Sequence, residues 1–253
     1  MLSTQAKGLT SNTLKGLSGN TLKIIAIIAM TIDHLAWIMF PGNTMGPIAI
    51  TMHVIGRITA PVMMFFITEG YRFTHNRKKY LARLLIFAAI SHIPYTMFSD
   101  FNFIPGIPTT SVMWPFALGV LALMIDNGDI LSNAKRWQRM ALIGICCVIA
   151  LPSDWSMAAV FAILLMGRHK GNFKRQMLDM AQVLAVYGVI CGFLFAPIYG
   201  LIHIGVVIPI MQLTLYNGAR GTVGGKVMKW LFYIYYPAHL LILGIVKIYI
   251  LHI

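Results

Sequence analysis

The chain has 253 residues, of which 58% are hydrophobic and only 11% are charged, whereas a typical soluble domain has about 25% charged residues. Its mean hydropathy is +0.76, and a soluble protein of this composition would expose most of its apolar surface to water. These values exclude a soluble globular protein, a disordered chain and a small disulfide-stabilised secreted module. They are typical of a polytopic membrane protein, in which each spanning helix needs about 20 apolar residues.

The net charge of +13, from 20 Lys and Arg against 7 Asp and Glu, has two interpretations. In a soluble protein such an excess would indicate a nucleic-acid partner. In a membrane protein it reflects the retention of Lys and Arg on the cytoplasmic side. The positions of the charges along the chain decide between the two.

Nine apolar stretches follow one another along the chain and are predicted to be helices. The fifth and sixth are short, which suits a tilted or partly interfacial hairpin. The stretches comprise residues 22–40, 47–71, 84–98, 107–125, 140–151, 155–167, 178–197, 198–216 and 230–251. We therefore predict an all-α, polytopic integral membrane helical bundle of about nine transmembrane helices. Residues 1–21 are predicted to be a cytoplasmic N-terminal tail, and residues 22–253 a single transmembrane domain.

The connections between these stretches alternate in charge. The N-terminal tail, counted with Lys23 at the start of the first stretch, and the loops after the second, fourth, sixth and eighth stretches hold 18 of the 20 Lys and Arg residues. The alternate loops hold none, and only Asp100 and Asp154 give them formal charge. The positive-inside rule then places the N-terminus in the cytoplasm and the C-terminus outside. This topology accounts for the net charge without nucleic acid and predicts a multi-pass protein of the cytoplasmic (inner) membrane.

Ionisable residues within apolar stretches are the candidates for function, because a charged side chain at the bilayer centre costs several kcal/mol. His53 and His203 lie nearer the outer side, and for them, as for His92, a simple hydrogen bond between helices is the preferred interpretation. With a rise of about 1.5 Å per helical residue, five residues share a layer near the middle of the membrane: Asp33, His34, Arg57, His92 and His239.

Helical geometry separates the roles of Asp33 and His34. Neighbouring residues on a helix point about 100° apart, so these two side chains do not face each other. Asp33 is expected to pair with Arg57 or with a histidine of another helix. His34 is then free to face a cavity as a general base, a role that suits a side chain that titrates near neutral pH.

The loop after the second stretch is the most basic part of the chain. It contains Arg72, Arg77, Lys78, Lys79 and Arg83, which are candidates for binding the phosphates of a nucleotide-containing cofactor. The alternative interpretation is control of topology together with contact to anionic lipids. The sequence has no Walker loop or dinucleotide fingerprint. Its three cysteines lack the spacing of a metal site, and no metal is expected.

Several ordered motifs occur along the chain. They are LKIIAIIAMTIDH at 22–34, IGR at 55–57 followed by Pro61 and by EGY at 69–71, YLARLL at 80–85, SHIP at 91–94 and YYPAHLL at 235–241. Together these motifs resemble the TraX family, which is named for the conjugative F-pilin N-acetylase. The resemblance covers nearly the whole chain and is weakest in the middle stretches. More distantly, the chain is similar to the acyltransferase-3 enzymes and to heparan-glucosaminide N-acetyltransferase.

This resemblance implies an integral-membrane acyltransferase that uses cytoplasmic acetyl-CoA as co-substrate. The acceptor would be an amine or a hydroxyl, such as a peptide or pilin N-terminus or a glycan. His34 matches the catalytic histidine on an early helix, Arg57 would steady the oxyanion or the cofactor, and Asp33 and His239 would orient the site. His92 departs from the family pattern, which often has an acidic residue there, and its role is open.

Two other classes of function are compatible with the same residues. A proton-coupled transporter would use the Asp33, His34 and Arg57 cluster as an ion relay, although no repeat between the two halves of the chain is visible. A noncatalytic membrane partner of a pilus or secretion assembly would tolerate substitution of that cluster. The sequence leaves open the acceptor, the choice between N- and O-acetylation, and whether the chain forms a homo-oligomer.

Overall fold

A computed structural model describes residues 16–41, 46–99, 104, 106–221 and 227–252. The described part is all-α and contains no β-strand, only isolated backbone bridges. Residues 1–15, which make up most of the predicted tail, lie outside the described residues, as do Asp100 and Lys226 of the predicted loops.

The described residues form eleven α-helices. A 3₁₀ turn at His203–Val206 joins α9 to α10, and α11 continues as a π-helical segment at Val246–Leu251. The helices are α1 Gly19–Met39, α2 Pro47–Gly56, α3 Thr59–Phe73, α4 Arg77–Phe98, α5 Met113–Asp126, α6 Arg136–Ala150, α7 Ser156–Arg168, α8 Phe173–Leu194, α9 Pro197–Ile202, α10 Val207–Thr214 and α11 Val227–Ile245.

Six helical segments of the described residues are long and apolar enough to cross a membrane, so the prediction of a polytopic membrane bundle is confirmed at that level. Two of the six are interrupted: α2 and α3 meet at a kink around Arg57, and α9 and α10 meet at the 3₁₀ turn. The six segments are Gly19–Met39, Pro47–Phe73, Arg77–Phe98, Phe173–Leu194, Pro197–Thr214 and Trp230–Leu251.

The remaining three predicted spans correspond to α5, α6 and α7, which have 14, 15 and 13 residues. Helix α5 is buried along most of its length and packs against α3, α4, α6 and α7. Helix α7 packs against α3, α5, α6 and α8 and is also mostly buried. Because other helices surround α5 and α7, their lengths need not match the thickness of the hydrocarbon layer.

Polar side chains at helix starts fix where several of these helices begin. The Ser18 side chain accepts a hydrogen bond from the Thr21 amide at 3.2 Å and caps α1. The helix therefore begins at Gly19, three residues before the start predicted from hydropathy. Asn76 caps α4 in the same way, with 2.8 Å from its Oδ1 to the Lys79 amide. These caps satisfy amide groups that have no partner within the helix.

The start of α1 is also bound to the loop that precedes α11. The Gly19 amide donates to the Ala219 carbonyl and the Asn20 amide to the Arg220 carbonyl, both at 2.9 Å. Helix α1 packs against α2, α3 and α11, and α11 packs along α4. The first and last parts of the chain therefore meet, which brings the two histidine-bearing motifs of α1 and α11 together.

Candidate functional site

A cavity lies among α1, α3, α4, α5 and α11 and is bordered by the turn between α6 and α7. It encloses about 1060 Å³, part of which is open to the outside. Lys23 and Asp33 both line it from α1, ten residues apart, so the cavity extends for about 15 Å along this helix. Its ionisable lining residues are Lys23, Asp33, His34, Arg57, Tyr80, Asp154, Tyr233 and Tyr236.

Asp33 is held by two residues of the segment that ends α2. Its Oδ1 accepts a hydrogen bond from His53 Nδ1 at 2.8 Å, and its Oδ2 lies 3.5 Å from a terminal nitrogen of Arg57. His53 and Arg57 are four residues apart, so they share one face, and Arg57 Nε also donates to the His53 carbonyl at 3.3 Å. Asp33 thus pairs with both an arginine and a histidine of another helix, as the helical geometry predicts.

Gly56 allows this close approach of α1 and α2. A Cβ atom at Gly56 would lie 2.4 Å from Cβ, Cγ and Oδ1 of Asp33, a separation that packed atoms cannot reach. Gly56 is therefore explained by its contact with Asp33, the residue that pairs with Arg57.

His34 and His239 meet edge to edge inside the bundle. His34 Nδ1 and His239 Nε2 are 2.7 Å apart, and the ring planes are within 4° of each other with centroids 4.9 Å apart. This is the in-plane geometry of a nitrogen-to-nitrogen hydrogen bond. Both side chains are buried, with 9% and 7% of their surfaces exposed.

The backbone fixes which nitrogens of this pair carry protons. His239 Nδ1 lies 2.9 Å from the Tyr235 carbonyl oxygen, which can only accept, so Nδ1 of His239 is protonated. Neutral His239 then has an unprotonated Nε2, which accepts from Nδ1–H of His34. In neutral His34 the other ring nitrogen, Nε2, carries no proton. Nε2 is therefore the atom of this histidine pair that can accept a proton.

Tyr235 supports His239 from the preceding turn of α11. The two rings are nearly parallel, at 13°, with centroids 5.0 Å apart. The Tyr235 hydroxyl lies 2.7 Å from Thr31 Oγ1, whose own proton is donated to the Ile27 carbonyl at 2.9 Å. The tyrosine therefore donates to Thr31, and this bond ties α11 to α1 one turn away from His34.

Arg57 makes further contacts on the side away from Asp33. One of its terminal nitrogens lies 3.5 Å from Nε2 of His203, which is free to accept because His203 Nδ1 donates to the Tyr199 carbonyl at 2.7 Å. The guanidinium also lies over the Trp155 ring, 5.3 Å from its centroid. These contacts hold Arg57 in one orientation at the cavity wall.

Asp154 lines the cavity although the sequence places it in an outer loop. Its amide donates to the Thr110 carbonyl at 2.8 Å, and the next two residues, Trp155 and Ser156, have positive φ angles of 62° and 45°. This tight turn directs residue 154 toward the bundle. Burial raises the pKa of Asp154 to about 6, although Arg57 opposes the shift.

The short motifs that meet at this site are spread from α1 to α11, and the match to a protein family extends over the same part of the chain. The family described as TraX protein matches residues 18–247. The chain belongs to the TraX family. Its Asp-His, Gly-Arg and Tyr-Pro-Ala-His motifs, which are far apart in sequence, form one polar cluster in the fold.

Two curated relatives are informative. The chain is 31% identical over 241 residues to a protein of Dichelobacter nodosus named "Probable fimbrial assembly protein FimC, serogroup H1", covering 90% of this chain and 95% of the relative. It is 37% identical over 110 residues to an uncharacterized protein of Rickettsia prowazekii (strain Madrid E), covering 44% and 38% of the two chains. No solved structure matches the chain significantly.

The basic loop of this TraX-family chain lies apart from the polar cluster. None of the five candidate cofactor residues lines the cavity in the described structure. Arg72 pairs with Glu69, 3.4 Å between NH1 and Oε2, and Arg77 pairs with Asp129. Lys78 and Lys79 are exposed to solvent.

Besides Arg57, two cations of the described residues are associated with the cavity: Lys23 lines it, and Arg83 contacts two tyrosines that line it. Arg83 Nε donates to the Tyr233 hydroxyl at 3.2 Å, and its guanidinium lies 5.3 Å from the centroid of the Tyr80 ring. Both tyrosines line the cavity. Lys23 lines it directly, with its amine 4.9 Å from the centre of the Phe66 ring.

Of the five residues of the predicted layer, Asp33, His34 and Arg57 line the cavity, whereas His92 and His239 do not. His239 reaches the site through its hydrogen bond to His34, but His92 has no such contact in the described structure. Its Nδ1 is buried and has no hydrogen-bond partner among the described residues. His53 and His203, by contrast, both bind the charged pair at the centre of the site. Depth alone did not distinguish these histidines, because depth says nothing about the direction in which a side chain points. The spacing of four residues between His53 and Arg57, which places both on one helix face, was the sequence feature that could have associated His53 with the site.

Proposed function

We propose that this TraX-family protein is an integral-membrane acetyltransferase, which moves an acetyl group from cytoplasmic acetyl-CoA to an amine or hydroxyl acceptor such as a peptide or pilin N-terminus or a glycan. The observation that carries the proposal is the His34–His239 pair. A buried histidine that faces a cavity with its basic nitrogen free has the arrangement of a general base.

The transfer step uses His34 Nε2 as the proton acceptor. The acceptor nitrogen or oxygen attacks the thioester carbonyl carbon, its proton moves to His34 Nε2, and the carbon–sulfur bond breaks as the new bond forms. The proton then passes from His34 to the leaving thiolate. While His34 is positively charged, His239 stabilises it by accepting the Nδ1–H bond, since His239 is itself fixed by the Tyr235 carbonyl.

Arg57 supplies the positive charge next to this base. Its guanidinium is oriented by Asp33, His203 and Trp155, so it requires little reorganisation when negative charge develops on the thioester oxygen. Asp33 is a positioning residue in this scheme, because it pairs with Arg57 and His53 rather than with His34. His239 is the residue that orients the base.

The cofactor is proposed to approach from the side of the basic loops. Apart from Arg57, Lys23 lines the cavity and Arg83 contacts its tyrosine lining, so these two cations are suited to bind the phosphates of the cofactor. Arg72, Arg77, Lys78 and Lys79 would contribute a wider positive field. With about nine helices in the inner membrane and the N-terminus in the cytoplasm, the cavity would let donor and acceptor arrive from opposite sides.

The test measures transfer of labelled acetyl groups in vesicles that contain the full-length protein and host surface material. We expect His34→Gln to lower transfer by about 10²- to 10⁴-fold, while His75→Gln, in an exposed loop, retains it. Added imidazole should restore part of the activity of His34→Ala. Undiminished transfer by His34→Gln would remove His34 from the chemistry.

A second measurement in the same vesicles concerns the cofactor. Lys23→Gln should raise the KM for acetyl-CoA about tenfold with a smaller change in kcat, because one charge-assisted bond to phosphate is lost. Lys170→Gln removes an exposed positive charge elsewhere and serves as the matched control. Equal effects of the two variants would contradict a phosphate contact at Lys23.

A noncatalytic part in pilus assembly is a second candidate function. The observation that favours it is the name of the Dichelobacter nodosus relative, a probable fimbrial assembly protein. This candidate predicts that cells carrying His34→Gln assemble normal pili and that no surface peptide or glycan gains an acetyl group when the wild-type protein is present. Mass analysis of those peptides and glycans separates the two functions.

A further inference from the structure

A second cavity opens where the ends of α5 and α7 meet the start of α6. Its lining is unusually basic for a surface depression, with three arginines and one carboxylate. It is lined by Asp126, Arg136, Arg139, Met140 and Arg168, and it shares none of these residues with the cavity that contains His34.

The single carboxylate of this cavity, Asp126, is already paired with one of the three arginines. Arg168 binds Asp126 through two parallel hydrogen bonds of 2.8 Å, from Nε and from one terminal nitrogen. Arg139 reaches only the Asp126 carbonyl oxygen, at 3.4 Å. Arg136 is exposed and makes no hydrogen bond or ion pair within the described residues. The three arginines therefore share one carboxylate, which leaves the cavity with an excess of two positive charges.

The outer face of α6 continues from these arginines as an apolar surface. Trp137, at the start of the helix, is 67% exposed, and Met140 is 46% exposed. One turn further, a Cβ atom on Gly144 would meet no atom within 4 Å, and Val148 beyond it is 63% exposed. An arginine cluster and an exposed tryptophan at one end of an apolar stripe are typical of the membrane–water interface.

We propose that this cavity binds the phosphate of an anionic phospholipid, with an acyl chain lying along the outer face of α6. Arginine suits phosphate because its planar group donates two parallel hydrogen bonds. The choice of a lipid over a soluble phosphate compound rests on the apolar stripe, which begins at Met140 within the cavity itself. A soluble ligand would leave that stripe unused. The proposal is independent of the acetyltransferase activity.

The test compares lipid binding by the purified, delipidated full-length protein in mild detergent. Native mass spectrometry would measure retention of phosphatidylglycerol against phosphatidylcholine of the same acyl chains. We expect the wild type to prefer phosphatidylglycerol and Arg136→Gln/Arg139→Gln to lose at least about tenfold in affinity for it. Lys174→Gln/Arg175→Gln, an exposed pair on α8, removes the same charge and should keep the preference.

Competition identifies the source of the phosphate. Neither inorganic phosphate nor coenzyme A should displace phosphatidylglycerol at millimolar concentration if the acyl chain contributes to binding. Displacement by either one would overturn the assignment to a lipid. Equal losses in the two double variants would also overturn it, because they would show attraction to the overall charge of the protein rather than to this cavity.

Discussion

The charged residues at the centre of the cavity are largely buried, whereas those of the basic loop, which comprises residues 72–83 at the end of α3 and the start of α4, are mostly exposed. At the centre, Asp33 and Arg57 are 14% and 15% exposed, and each binds more than one partner. In the loop, Arg72 is 39% exposed, and Lys78 and Lys79 point to solvent. Water screens the loop charges, whereas the central charges depend on one another.

The largest expected effect comes from removing one member of the central pair. Asp33→Asn leaves Arg57 buried without its carboxylate, and we expect the free energy of unfolding in detergent to fall by about 3 to 5 kcal/mol. Arg72→Gln, which removes the exposed arginine of the loop, should cost about 1 kcal/mol or less.

The double variant Asp33→Asn/Arg57→Gln is the internal control for this comparison. It should recover part of the stability that Asp33→Asn loses, because no uncompensated charge is left in the bundle. Similar costs for Asp33→Asn and Arg72→Gln would show that the centre is as well solvated as the loop.

A smaller effect is expected from crowding the central pair. Gly56→Ala places a methyl group 2.4 Å from Asp33 atoms, so α1 and α2 must separate, at a cost of about 1 to 3 kcal/mol. Gly144→Ala is the matched control, because its Cβ meets no neighbour and alanine favours the helix by up to about 1 kcal/mol. Thermal unfolding of both variants measures the difference, and a stabilised Gly56→Ala would contradict the close approach.

The last expected effect is a pH dependence at the cavity wall, which vanishes below about pH 4. The Asp154 carboxyl, with a folded pKa of about 6 against its ordinary 3.8, holds its proton in the folded state over a range where the unfolded chain has released it. Stability therefore falls as pH rises from about 4 to 7. We expect the gain of Asp154→Asn over the wild type to grow across that range to about 3 kcal/mol. A constant difference at all pH values would contradict the raised pKa.

Several of the polar residues that meet at the site could be identified from the sequence, but most of their contacts could not. Scarcity of charge in apolar stretches identifies Asp33 and Arg57, and the helical rise places His34 and His239 at the same depth. His53 and His203 make hydrogen bonds to other segments, as predicted, but the sequence does not show that their partners are Asp33 and Arg57 of the central ion pair. Asp154 was placed outside, because a short loop between apolar stretches does not show that it folds back.

By itself the sequence determined the class of molecule, an all-α membrane protein of the TraX family, because hydropathy and ordered motifs are local properties of the chain. Only the tertiary structure decided that His239 contacts His34, while Asp33 binds His53 and Arg57. It also decided which cations reach the cavity: Lys23 of α1 lines it, and Arg83 is the residue of the basic loop that contacts its tyrosine lining. Such pairings depend on how each helix is rotated about its axis. Packing against neighbouring helices fixes that rotation, but a membrane helix that is apolar on all sides has no hydrophobic periodicity from which to predict it.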